Sequence, residues 1–287
     1  MKRITQGLAA VSVIALAGAT AACGGGGSSA AGSDSGDPLV VAMSWPYEPW
    51  QVGDGTATKD GIEPELITAI AKEAGLDIEI QNVDFTGIIT GTQAGKYDIA
   101  MSGLGIYGDR LNALAFIPDA KTGYTMLVNK EDAGRYQTLD DLCGVKVALG
   151  NGTKNAIDVA VANGTDEGDG DEDYAGVCKD DPIQVSAFDD QAGQDLAFST
   201  GKVEAQLLTQ QVAESYAKKS GGRYVAAPPY DTVNFGIGIP KDETELADQL
   251  VEAFHAVVED GTYAQILKKY GESDAALPVE EIEVVNE

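Results

Sequence analysis

Arg110 offers the clearest chemistry in this sequence. It closes a segment in which a short strand-like run, Tyr97 to Ser102, passes into the turn Ser102-Gly103-Leu104-Gly105. A guanidinium presents a planar fork of donors that matches a carboxylate through two parallel hydrogen bonds. The plainer reading of such a residue is a surface arginine in a turn. Glycines at 103 and 105 let backbone come close to a bound molecule, and the Ser102 hydroxyl can donate to it. A second anion-seeking feature is Gly152-Thr153, which opens a helical pattern. Free N–H groups and the helix dipole favour negative charge there. The Thr153 hydroxyl can cap that helix, donate to a ligand, or do both.

Other chemistries are excluded or weak. His255 is the single histidine, so sites built from several histidines are impossible and any Ser-His-Asp triad would depend on it alone. Its place on an apolar helical pattern beside Phe254 reads as structural. Gly103, Gly105 and Gly108 spell a dinucleotide-like glycine pattern after a strand. No long helix follows it, and Asp119 comes too early to hold a ribose. No phosphate-binding P-loop is present. The acidic run Asp166 to Asp173 puts Asp169, Asp171, Asp173 and Asp180 at calcium-loop-like spacing. Tyr174 occupies the position where such a loop needs glycine, so the run reads as a solvated insertion and no metal is expected.

Charge and cysteines narrow the setting. The formal net charge is −27 over 287 residues, which repels nucleic acid and anionic membrane surfaces. Lys2 and Arg3 precede a short apolar run, Leu8 to Gly18, which is too brief to span a bilayer. Small residues then lead to Cys23 and a Gly/Ser-rich stretch. This arrangement resembles a bacterial lipobox, with residues 1–22 as signal peptide, Cys23 lipidated and 23–37 a flexible tether. Thr20 departs from the usual leucine, and Ala19-Thr20-Ala21 would also serve as an ordinary cleavage site for a released protein. Removing a leader that holds two basic residues and no acid takes the formal charge to −29. With Cys23 set aside, Cys143 and Cys178 remain as an even pair in an oxidising compartment, which predicts a disulfide; the alternative is two buried thiols.

The elements that must position Arg110 and Thr153 alternate between strand and helix, which predicts an α/β protein. Strand patterns run from Leu39 to Ser44, over Ile78 and Ile80, from Tyr97 to Ser102, Val145 to Leu149, Ile183 to Ser186 and Val203 to Thr209. Helical spacing appears in Leu66, Ile67, Ile70, Ala71 and Ala74 before Gly75, in Phe85 to Ala94, from Thr153, in Gln191 to Phe198 and in Gln210 to Lys219. The chain closes with Leu246, Leu250, Phe254 and Val257 on one helical face, then a short helix ending in Lys268-Lys269-Tyr270-Gly271.

This order, with the stretches Phe85 to Arg110, Leu139 to Thr153, Thr200 to Tyr216 and Phe235 to Gly271, resembles the bacterial extracellular solute-binding proteins of family 3, the polar amino-acid type. The resemblance spans nearly the whole chain after the tether. It implies a two-lobe type II periplasmic-binding-protein fold, with two crossing strands near Lys121 to Leu127 and Phe235 to Lys241. Lobe 1 would comprise 38–124 and 238–287, and lobe 2 would comprise 125–237. The implied function is that of a monomeric receptor for an ABC importer. Its partners would be an amino acid or related carboxylate and a permease with its ATPase on separate chains, and its place the outer face of the membrane through a lipid anchor. The resemblance makes Arg110 the carboxylate clamp, with Ser102, Gly103, Gly105 and Thr153 beside it. Tyr47 and Phe85 become aromatic walls, with Trp45, Tyr107 and Tyr124 weaker candidates and Trp50 a core residue.

Two departures bear on the ligand. Where the family offers an aspartate to the ligand's ammonium, this chain has Thr209, followed by Gln210. Where members that take basic side chains often carry an acid, it has Ser44. Asp189, Asp190 and Glu48 are possible replacements, and several aromatics could hold a substituted cation by cation–π contact. A same-fold dehydratase of the cyclohexadienyl or arogenate type, in which a cleft acid such as Glu48 could act as general acid, and a sensor docking a membrane signalling partner are the alternative functions.

Overall fold

The computed structural model describes residues 37–168 and 173–286. The expected signal peptide, Cys23, the tether through residue 36, and Asp169 and Asp171 of the acidic run lie outside the described residues. Within residues 37–287, which form one compact unit, strands and helices alternate as the patterning predicts.

The first strand, β1 (Leu39–Met43), is buried over Val41 to Met43 and pairs in parallel with β2 (Ile78–Asn82) and β3 (Ile99–Ala100). Between β1 and β2 runs α1 (Ile62–Ala74), whose Ile62, Leu66, Ile67, Ile70 and Ala71 face the core. Gly75 stops it in the left-handed conformation, φ 69°, and donates to the carbonyls of Ala71 and Lys72. Only glycine adopts that backbone without a Cβ penalty. A short α2 (Ile88–Gln93) precedes β3, and α3 (Gly108–Ala113) follows it.

The long strand β4 (Leu114–Asn129) pairs antiparallel with β9 (Asp231–Pro240) from Leu114↔Pro240 to Tyr124↔Asp231, and with β7 (Ala205–Thr209) beyond that. The register shifts between Pro118 and Ala120, where Asp119 is the extra residue. β5 (Lys146–Gly150) lies parallel to both β7 and β6 (Gln184–Phe188), and β8 (Tyr224–Ala226) pairs with β4. The resulting sheet order is β2-β1-β3-β9-β4-β7-β5-β6. β4 and β9 are thus the two strands that join the parallel set at one end to the parallel set at the other, and both expected crossings overlap them.

The helices α4 (Lys154–Ala162), α5 (Gln191–Ser199) and α6 (Gln210–Lys219) belong to the second set. The closing helices α7 (Thr244–Glu259) and α8 (Thr262–Tyr270) return to the first and pack against α1. On α7, Leu250, Phe254 and Val257 are buried as their spacing predicts. Leu246 is only half-buried, and Ala247 and Ala253 complete the face instead. Each fully buried side chain of the size of Leu or Phe contributes about 1.5–3 kcal/mol.

Cys143 and Cys178 are joined in a disulfide. His255 bonds to the Ile282 carbonyl at 2.7 Å, in keeping with a structural role. Among the described residues no cluster of His, Cys, Asp or Glu could hold a metal, and no helix is long and apolar enough to cross a membrane. The strand expected over Tyr97 to Ser102 is confined to two residues, because Ser102 and Gly103 turn away into the cleft. Likewise β7 begins at Ala205, two residues later than the pattern suggests.

Candidate ligand-binding cleft

A cleft opens where the loops after β1, β3, β5, β6 and β7 converge. Its walls include Ser44, Trp45, Tyr47, Phe85, Ser102, Gly103, Arg110 and Tyr124 on one side, and Asn151, Thr153, Lys154, Asn155, Phe188, Asp189, Asp190, Gln194 and Thr209 on the other. Seven of the eight residues expected to meet a ligand therefore surround one space: Arg110, Ser102, Gly103, Thr153, Tyr47, Phe85 and Thr209. Gly105 sits behind it. Its carbonyl accepts from Arg110 Nη1 at 3.1 Å, and a Cβ there would stand 2.4 Å from the Tyr124 hydroxyl.

Arg110 lies on α3 and is 8 % exposed. Its Nη2 donates to the Gly152 carbonyl at 2.9 Å, on the opposite wall. Its guanidinium carbon stands 4.6 Å from the Tyr107 ring centre and 5.8 Å from that of Phe85. Two aromatic rings and two backbone carbonyls fix the plane of the fork. Among the described residues no carboxylate pairs with it.

Ser102 Oγ accepts from the Ser44 N–H at 3.0 Å, which leaves its own proton to be donated into the cleft. Thr153 has the extended backbone of an N-cap, but its side chain makes no cap bond to α4. Its hydroxyl donates instead to the Gly150 carbonyl at 2.7 Å. The first N–H groups of α4 are thereby spared for the cleft.

Tyr47 and Thr209 meet across the space, oxygen to oxygen, at 2.8 Å. Burial pushes the Tyr47 phenol up to about 12, so it is a neutral hydroxyl at any physiological pH. Trp50 is fully buried and packs edge-on against Phe235, as a core residue should. Trp45 lines the cleft and its indole N–H has no partner. Tyr107 packs on Arg110 rather than on the cleft wall.

Of the three acids considered as replacements, Asp189 and Asp190 line the cleft and Glu48 does not. Asp189 accepts from Asn151 at 2.7 Å, and Asp190 caps α5 by accepting from the Gly193 N–H at 2.7 Å. Glu48 pairs with Lys219 outside.

Several cleft residues escaped the sequence reading. Gln194 is buried, and its side-chain oxygen has no partner. Lys154 reaches Asp158 at 2.5 Å and Asp231 at 3.1 Å. Burial opposes its charge, but Asp158 beside it keeps its pKa above the usual lysine value. Its pairing with Asp158 follows helical i,i+4 spacing, whereas Asp231 comes from β9, which no local pattern links to it. Asn155 accepts from the Tyr230 hydroxyl at 2.6 Å.

A cleft between two α/β lobes joined by a strand pair, with a buried arginine at its centre, defines a periplasmic-type binding protein. Residues 39–273 match the bacterial extracellular solute-binding proteins, family 3, and the chain belongs to that family. It is 27 % identical to the arginine-binding extracellular protein ArtP of Bacillus subtilis over 256 residues, which is 88 % of this chain and 92 % of ArtP. Among solved structures, an ancestral arginine-binding protein bound to arginine superposes with a TM-score of 0.71 at 26 % identity, over 82 % of this chain and 98 % of its own. The ancestral amino acid-binding protein AncCDT-1, a precursor of cyclohexadienyl dehydratase, gives 0.68 at 26 % identity, over 81 % and 94 %.

Proposed function

We propose that this protein is the substrate-binding subunit of an ABC importer and that it captures an amino acid or related small carboxylate in the cleft. The observation that carries this reading is Arg110: a nearly buried guanidinium, braced by rings and carbonyls, with no carboxylate partner among the described residues. A buried charge without a counter-ion is costly, and a ligand carboxylate supplies one in matching geometry. Ser102, the Gly103 turn and the first turn of α4 add donors around it. Tyr47 and Phe85 form its apolar walls, and Thr209 holds Tyr47. For the ligand's nitrogen, Asp189 and the free oxygen of Gln194 take the place of the family aspartate.

The lobes divide at 38–124 with 238–287 and at 125–237, and ligand contacts to both favour the closed arrangement. A permease with a separate ATPase receives that form. Cys23 carries the lipid that tethers the chain to the outer face of the membrane, and the protein acts as a monomer. The names of its relatives, binding proteins for arginine and other amino acids, support this reading over catalysis. Glu48, the acid considered for such a role, pairs with Lys219 outside the cleft.

The test is calorimetric titration of the processed chain with the common amino acids, their N-blocked and N-methylated forms, and simple carboxylates. One-to-one binding lost on removal of the α-carboxylate is expected. Binding that ignores the carboxylate would overturn the assignment of Arg110.

A further inference from the structure

Behind the Ser102-Gly103 turn, away from the cleft, lies a pair of buried acids that the binding reading does not use. Glu63, in the first turn of α1, is 1 % exposed, and its Oε1 accepts from the Gly103 N–H at 2.8 Å. Its Oε2 is bonded to the Gln51 side-chain amide, whose own oxygen is buried without a partner. Asp119, the bulged residue of β4, is also 1 % exposed, and neither of its carboxyl oxygens has a partner. No cation pairs with either acid among the described residues. The other titratable groups around them are Tyr47, which feels the Glu63 charge from the cleft side, and Tyr263, whose hydroxyl donates to the Asp119 backbone carbonyl at 2.7 Å.

Two carboxylates buried together without a cation cannot both be ionised at modest cost. A proton on Glu63 has an acceptor within reach in the Gln51 side chain. With the Gln51 amide reversed about its last bond, its oxygen accepts an O–H from Glu63 Oε2, while Oε1 still receives the Gly103 N–H. Both carboxyl oxygens of Glu63 are then hydrogen-bonded with no net charge buried.

We propose that Glu63 is a positioning residue for the carboxylate subsite, holding the Gly103 turn as a neutral acid, and that its ionisation weakens capture of a carboxylate ligand. Gly103 links the two: it lines the cleft and its N–H rests on Glu63. A negative charge at Glu63 opposes the ligand's own negative charge through that turn. Burial pushes Glu63 up to about 8, and pushes Asp119 well above the usual carboxylate range with help from the Glu63 charge. The change therefore falls in the mildly alkaline range. The proposal rests on the cleft being a carboxylate site, but its first test does not.

That test follows the Gly103 amide signal by NMR in the ¹⁵N-labelled protein from pH 6 to 9.5, in wild type, Glu63→Gln and Arg110→Ala. A titration step near pH 8 is expected in wild type and Arg110→Ala and absent from Glu63→Gln. A Gly103 signal that does not titrate in wild type, or that still titrates in Glu63→Gln, overturns the proposal. The second test titrates L-arginine and L-glutamine at pH 7 and pH 9 into wild type and Glu63→Gln. The ligand's own ammonium titration is common to both proteins. The wild type should lose about threefold to tenfold more affinity than the variant, whereas equal losses overturn the linkage. Failure of both amino acids to bind at either pH counts against the ligand class and leaves the NMR result to decide the role of Glu63.

Discussion

The Tyr47 phenol and the Thr209 hydroxyl stand 2.8 Å apart although 162 residues separate them in sequence. Together with Arg110 and the Gly152 carbonyl, they form a hydrogen-bonded tie across the cleft. Thr209 occupies the position where the family resemblance implies an aspartate, and here its side chain serves a neighbour.

Tyr47→Phe removes one of these ties. A hydrogen bond of this kind is worth about 0.5–1.5 kcal/mol net, so amino-acid affinity should fall roughly twofold to tenfold in calorimetry. An unchanged affinity would mean that the tie plays no part in the bound form.

Thr209→Asp should restore an ammonium partner. Affinity for free α-amino acids should rise about tenfold relative to their N-acetyl counterparts, as expected when a charge-assisted bond replaces a neutral one. A parallel change in both ligand sets would show that position 209 does not face the nitrogen.

Arg110→Ala should reduce binding by at least about a hundredfold, and Arg110→Lys should fail to rescue it, because an ammonium cannot reproduce the fork. Circular dichroism and thermal unfolding should show a folded protein in both variants. Wild-type affinity in Arg110→Lys would reduce the residue to a point charge.

The Glu63 carboxyl is raised in the folded protein to about 8, so between about 4.5 and 8 the native state binds protons that the unfolded state has released. Stability from this group is complete at low pH and falls as pH rises through that window. Glu63→Gln should flatten the fall by about 1 kcal/mol per pH unit in denaturant titrations. Identical pH profiles would show that Glu63 ionises normally.

A Cβ at Gly105 would meet the buried Tyr124 hydroxyl. Gly105→Ala should cost about 1–3 kcal/mol, and the added change Tyr124→Phe should recover part of that loss. If the double variant is no more stable than the single one, the close approach is not the cause.

Most of the alternating architecture was legible because parallel strands and their covering helices carry separate, regular apolar periods. Leu39 to Met43 and Val147 to Leu149 could hardly be read otherwise. The six-residue α3 that bears Arg110 is too short to show a period, so Arg110 was found through the glycine turn and the family resemblance. Short β8 gave no signal for the same reason. The length of β4 was hidden by Pro118, Asp119 and Gly123, residue types that usually interrupt a strand pattern and that here form a bulge and a close approach. Glu63 was missed because an acid in a first helical turn normally serves the helix dipole. Its neighbours Ile62 and Pro64, both buried, were the only hint that this turn faces inward. Lys154's pairing with Asp158 follows helical spacing, but its Asp231 partner and the surroundings of Gln194 come from distant chain segments, which no local pattern encodes.

The Cys143–Cys178 disulfide encloses α4 and the whole acidic run, Asp166 to Asp173, within a covalent loop. Closure of a loop spanning 35 residues is worth about 3–4 kcal/mol in the chain-entropy model. The same bridge bears on durability outside the cell. A protease that cuts once inside the acidic stretch leaves both fragments joined, with Thr153 and Lys154 still attached to the rest of the cleft. Such a nicked protein should migrate as one species without reductant and as two with it.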